Sequence, residues 1–93
     1  MDGRVVLTKP ENRMAAVRTK SNSYAVFEVF NEFKVKPGDL ISGQFNQIGK
    51  TNLVNLTQRT LLKTDVKTVN CYIAHKIKNI MGIGKEKKNL QSG

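Results

Sequence analysis

Ninety-three residues with 39% apolar and 25% charged side chains suit one small domain, and they exclude both a polar disordered chain and the α/β enzyme folds built from several βαβ units of about 30 residues each. Sixteen Lys+Arg against seven Asp+Glu leave a formal net charge of +9, so an acidic partner is expected: nucleic acid first, acidic protein or anionic membrane surfaces behind it. Cys71 is the single cysteine, which excludes an internal disulfide or a multi-thiol zinc site and points to a reducing compartment.

The N-terminal apolar residues Val5, Val6 and Leu7 are interrupted at Lys9, Pro10 and Glu11, and no apolar run approaches about 18 residues. A cytoplasmic protein without a membrane span is therefore expected. Up to Thr57 the hydrophobic period is two, in short segments rich in β-branched and aromatic residues. Five strands follow: 4–9, 13–20, 24–30, 39–47 and 52–57. Pro10-Glu11-Asn12 and Ser21-Asn22-Ser23 make tight connections, Pro37-Gly38 suits the centre of a type II turn, and Ile48-Gly49-Lys50 closes a hairpin. Residues 31–36 form the one longer connection.

Alternation assigns the faces. Ala15 and Val17, then Ala25, Phe27 and Val29, then Ile41, Gly43 and Phe45 should point inward, while Met14, Ala16, Val26 and Glu28 point outward. Five short antiparallel strands with one half-polar face predict a small barrel over residues 1–64, because closure removes exposed edges. Beyond it, Val66, Val69, Ile73, Ile77 and Ile80 recur at spacings of 3, 4, 4 and 3, which predicts a C-terminal amphipathic helix over 65–82 stopped at Gly82. A sixth strand is the competing reading, since Val69, Cys71, Ile73 and Ile77 also fit period two with a miss at His75. Residues 83–93, with Lys85, Lys87 and Lys88 and few apolar anchors, read as a disordered basic tail. Charge is concentrated towards this end: residues 1–57 hold eight basic and five acidic side chains (net +3), residues 58–93 eight and two (net +6).

The order and spacing of these segments resemble the cold-shock domain, an OB-fold single-strand binder. The family opening G-K-V-K-W-F-N-x-x-K-G-F-G-F-I lines up without a gap on Gly3-Arg4-Val5-Val6-Leu7-Thr8-Lys9-Pro10-Glu11-Asn12-Arg13-Met14-Ala15-Ala16-Val17, and V-F-V-H-F falls on Ala25-Val26-Phe27-Glu28-Val29. Residues 33–39 look like the family loop F-K-x-L-x-x-G-Q, and Asn55-Leu56-Thr57 matches N-V-T. The similarity covers residues 3 to 57 and implies a five-stranded antiparallel OB-fold barrel. In the family, the surface aromatics of the two motifs stack on bases. Leu7, Met14, Ala16, Val26 and Glu28 stand at those positions here, so the resemblance implies the scaffold without its stacking platform.

The function expected from charge and resemblance together is non-enzymatic binding of single-stranded RNA or DNA, with no cofactor and no metal. Candidate contacts are Lys9, Arg13, Arg18 and Lys20 bordering the face, the rings of Tyr24, Phe30 and Phe33, the loop cations Lys34 and Lys36, and Arg59, Lys76 and Lys78 in the extension. The alternative is a protein-interaction or self-associating module that uses the aliphatic patch of Leu7, Met14, Ala16 and Val26. Three motifs are decoys. Gly43–Thr51 has one residue too many for a phosphate loop and no helix after it. Cys71 and His75 would share a helix face but lack a third orienting group. Asn55-Leu56-Thr57 is a glycosylation sequon that reads as a strand terminus.

Overall fold

Period-two alternation carries through into the folded chain, for which a computed structural model describes residues 1–72 and residue 81. The strands are β1 (Asp2–Lys9), β2 (Met14–Thr19), β3 (Tyr24–Val29), β4 (Leu40–Gly43), β5 (Gly49–Asn55) and β6 (Thr60–Cys71), all paired antiparallel. Around the barrel they run β1-β2-β3-β6-β5-β4, and β4 returns to β1. The first three form a meander and β4 comes back over a long connection to lie beside β1, which is a Greek key.

The turns follow their residues. Pro10–Asn12 makes a single 3-10 turn after which Arg13 takes a left-handed conformation. Gly38 has φ +96° and the Asp39 N–H donates to the Lys36 carbonyl at 3.1 Å, as a type II turn around Pro37-Gly38 requires.

Val17, Phe27, Val29, Ile41 and Phe45 are all at most 1% exposed, as the alternation predicts. Val5, Ala15, Ala25, Leu53, Leu62 and Val66 complete the core with Val35 from the β3–β4 loop. The fourth strand is shorter than expected, ending at Gly43 rather than at residue 47. Gly43 has φ +145°, and a Cβ there would stand 2.6 Å from Leu53 Cδ2, so the chain bends away from the sheet at this point. Phe45 is buried nevertheless, at the barrel end against Gly3: a Cβ on Gly3 would lie 3.0 Å from the Phe45 ring.

The expected helix over 65–82 is corrected for its first part, since residues 65–71 belong to a sixth strand and the barrel has six strands rather than five. Pairing explains the choice: β6 joins β3 on one side and β5 on the other, so it supplies the backbone partners that a five-strand row would leave unmet. The helix-like spacing has a cause of its own. Pairing passes from Val26↔Thr68 to Phe27↔Val66, leaving Lys67 as an extra residue at a bulge. That insertion shifts the strand's phase by one, and Val66 and Val69, three apart, both pack on the core. Tyr72 follows the strand as an exposed residue, and the remainder of the expected helix, apart from Met81, and the expected tail over 83–93 lie outside the described residues.

Candidate nucleic-acid interface

On the outside of β1, β2 and β3 the side chains of Leu7, Ala16 and Val26 form one cross-strand row. This face is not open, contrary to expectation. Ala16, Val26 and Met81 are each 0% exposed and form a second small core, with Leu7, Met14, Tyr24 and Cys71 packed at its margins. The small side chains of Ala16 and Val26 leave room for the Met81 thioether, and the Asn12 side-chain amide donates to the Met81 carbonyl at 2.8 Å. The aliphatic patch proposed for a partner is thus covered by the chain itself. Beside it Glu28 is half-buried and paired: Lys67 Nζ lies 3.5 Å from its carboxylate and 2.9 Å from that of Asp65. The Asp65 hydrogen bond, with both carboxylate charges, raises the Lys67 pKa although partial desolvation opposes it.

Two cationic clusters flank this covered face. At one end Arg4 stands directly opposite Arg18, and Arg18 directly opposite Tyr24, so two arginines and a tyrosine lie in register across three strands. Like charges facing one another across a ladder repel, and among the described residues no carboxylate lies within ion-pair distance of either. Arg4 is steadied by the Gly38 carbonyl at 3.0 Å and Arg18 by the Asn22 side-chain oxygen at 2.7 Å. With Lys20, Asn22, Val6 and Leu40 they line a shallow concavity, in which Asp2 is the one acidic residue. Asn22, at φ +63°, holds the β2–β3 turn that carries Lys20.

At the other end Phe30 follows β3 with its ring outside the barrel, 51% exposed, and its N–H donates to the Lys63 carbonyl at 2.8 Å. Lys63 faces Asn52 on β5, and Lys50 lies two residues along the same strand. These residues, with Thr51 and Thr64, line a second concavity. Arg13 is committed to structure here: its Nε donates to the Val29 carbonyl at 2.8 Å and its Nη2 to the Asn31 carbonyl. Phe33 also turns out to be structural, because its ring packs against the barrel core.

The loop cations surround a buried polar knot. Asp39 Oδ2 accepts from the Asn55 side chain at 2.8 Å, the Gln58 side chain at 2.7 Å and the Lys36 N–H at 3.0 Å, which ties the β3–β4 loop to the β5–β6 turn. Burial alone would push the Asp39 carboxyl up, but these three hydrogen bonds and the Lys36 charge outweigh it and hold the pKa below the ordinary aspartate value. Lys34 sits 3.9 Å from Glu32, Lys36 is exposed, and Arg59 occupies the β5–β6 turn at φ +55° beside Gln58. Lys9 is half-buried opposite Met14. Lys76 and Lys78 lie outside the described residues.

The structure thus brings together Arg18, Lys20 and Tyr24, sets Phe30 apart at the opposite end of β3, and adds four residues that the sequence reading passed over: Arg4, Lys50, Asn52 and Lys63. Their signal is cross-strand register, which places Arg4 against Arg18 and Lys63 against Asn52. The decoys resolve on the same basis. The segment from Gly43 to Thr51 runs from the last residue of β4 through a connection at residues 44–48 into the antiparallel β5, and the Asn55 side chain is fully buried, beyond reach of a glycosyltransferase. Cys71 lies on a strand opposite Tyr24 rather than on a helix, and His75 lies outside the described residues. Among the described residues no helix is long and apolar enough to cross a membrane. Comparison with known proteins gives no matching family model, curated protein or solved structure.

Proposed function

We propose that this chain is a non-catalytic binder of single-stranded nucleic acid. The observation that carries the reading is the row of Arg4, Arg18 and Tyr24 beside Lys20, in which two arginines without a carboxylate partner among the described residues stand in cross-strand register next to a tyrosine. A phosphate between the two arginines would relieve their repulsion through charge-assisted hydrogen bonds, and an adjoining base could stack on Tyr24. Single strands suit this arrangement better than duplex, because among the described residues the barrel wall offers no helix long enough to enter a major groove.

Fluorescence anisotropy with labelled single-stranded DNA and RNA, against duplex of equal length, tests the proposal. Each phosphate contact on a single strand contributes about 0.7 to the log–log salt slope, so Arg4→Gln with Arg18→Gln, which removes the one phosphate held between them, should flatten the slope by about 0.7. An unchanged slope, or equal affinity for duplex, would refute the reading.

A second reading, a module for an acidic protein partner, is favoured by one feature. Val54 and Leu61 face each other on β5 and β6 and are both exposed, with Leu56 exposed just past the end of β5 and Lys63 and Arg59 nearby. Val54→Lys with Leu61→Lys would weaken such a contact and leave single-strand binding intact.

A further inference from the structure

Resting on the single-strand reading but placed at a different surface, we infer that Phe30 is a base-stacking residue, with Lys63 and Lys50 holding the neighbouring phosphates and Asn52 meeting the base edge or sugar. Phe30 is an anomaly in a chain that buries its other phenylalanines: Phe27 and Phe45 fill the barrel and Phe33 packs on the core, whereas the Phe30 ring stands half-exposed over a concavity.

Its backbone is clamped on both sides. Arg13 binds the carbonyls of Val29 and Asn31, while the Asn31 side chain donates to the Leu61 carbonyl at 2.9 Å and accepts from the Lys63 N–H at 3.0 Å. An exposed ring on so constrained a segment loses little conformational entropy when it meets a ligand, which is the condition for a preorganised contact.

The charges around it agree. Asp65 stands across from Lys50, but Lys67 takes up both Asp65 and Glu28. Lys50 and Lys63 are left exposed without an ion-pair partner among the described residues, and the exposed Asn52 side-chain amide between them has no hydrogen bond there either. A hydrophobic ring, two cations and a free amide in one shallow concavity match an unstacked nucleotide: a π-face, flanking phosphates and a polar edge. They do not match a purely apolar peptide, which would leave both ammonium groups unused.

The chain contains no tryptophan, so Phe30→Trp installs a single indole reporter at the proposed contact. Single-stranded oligonucleotides of about ten residues should quench its emission, and the quenching should persist at salt concentrations that abolish binding of dextran sulfate, a polyanion without bases. Phe30→Ala should lower oligonucleotide affinity by about 5- to 100-fold, and an abasic oligonucleotide should lose most of the difference between the two proteins. Lys63→Gln, on an exposed strand position, should lower affinity and flatten the salt slope while leaving the base dependence in place. Oligonucleotide binding that is unaffected by Phe30→Ala and leaves the indole unquenched would overturn this site and spare the single-strand reading. Absence of oligonucleotide binding altogether would overturn both, and quenching equal for dextran sulfate and oligonucleotide would show a polyanion surface without base stacking.

Discussion

Met81 is the one described residue that closes the outer face of β1, β2 and β3, and its removal gives a quantitative test of that closure. Its side chain is fully buried against Ala16 and Val26, which sit on paired strands and are too small to move into the space it leaves. Met→Ala at a buried site costs about 2–5 kcal/mol, rising with the cavity that survives, and the rigidity of this sheet places Met81→Ala at about 3–4 kcal/mol. A domain of 93 residues has a total stability of about 5–14 kcal/mol, so the loss is a large fraction of the whole. Urea denaturation followed by circular dichroism should show the midpoint falling by about 1.5–4 M for an m-value of about 1–2 kcal/mol/M. Met81→Leu, which nearly conserves volume, should cost less than about 1.5 kcal/mol. Cys71 borders the same cluster and is the only thiol, so its labelling by a disulfide reagent should be faster in Met81→Ala than in the parent. An unfolding free energy unchanged within about 0.5 kcal/mol together with an unchanged labelling rate would refute the claim that Met81 covers this face.

Phe27→Ala, at the centre of the barrel, should destabilise by about 3–5 kcal/mol in the same denaturation assay, and a loss under about 1 kcal/mol would contradict its complete burial. Asp39 has a folded pKa below its unfolded value of about 3.9, so its contribution to stability is fully present above that value and is lost as pH falls through the lower, folded value. Asp39→Ala, which strands the Gln58 side-chain amide and the Lys36 N–H, should cost about 2–4 kcal/mol at neutral pH and flatten the fall in stability below about pH 4; an unaltered acid limb in the variant would place that titration elsewhere.

Alternation of side chains is local, and the second, third and fourth strands were legible because each segment carries its own inward set: Ala15 and Val17, Ala25, Phe27 and Val29, Ile41 with Phe45. The Pro37-Gly38 turn was equally legible, since proline presets one dihedral and only glycine enters the positive-φ position without strain. Arg18, Lys20, Tyr24 and Phe30 could be named as candidates from charge and aromaticity alone. Arg13 and Phe33 could not be told from them, because a guanidinium that clamps carbonyls and a ring that packs inward have the same local sequence as ones that face solvent.

Long-range pairing decided the rest. The segment from Asp65 to Cys71 fits a helical spacing and a strand spacing alike, and a bulge at Lys67 makes a strand imitate a helix at Val66 and Val69. Only the presence of β3 and β5 on either side, with backbone groups to be satisfied, selects the strand. Likewise the outward positions Ala16 and Val26 are indistinguishable from solvent-facing ones until Met81, 65 and 55 residues away along the chain, is brought over them. The same holds for Arg4 opposite Arg18 and Lys63 opposite Asn52, whose proximity exists only in the register of the closed barrel, because a one-residue slip of either strand would turn the partners to opposite faces.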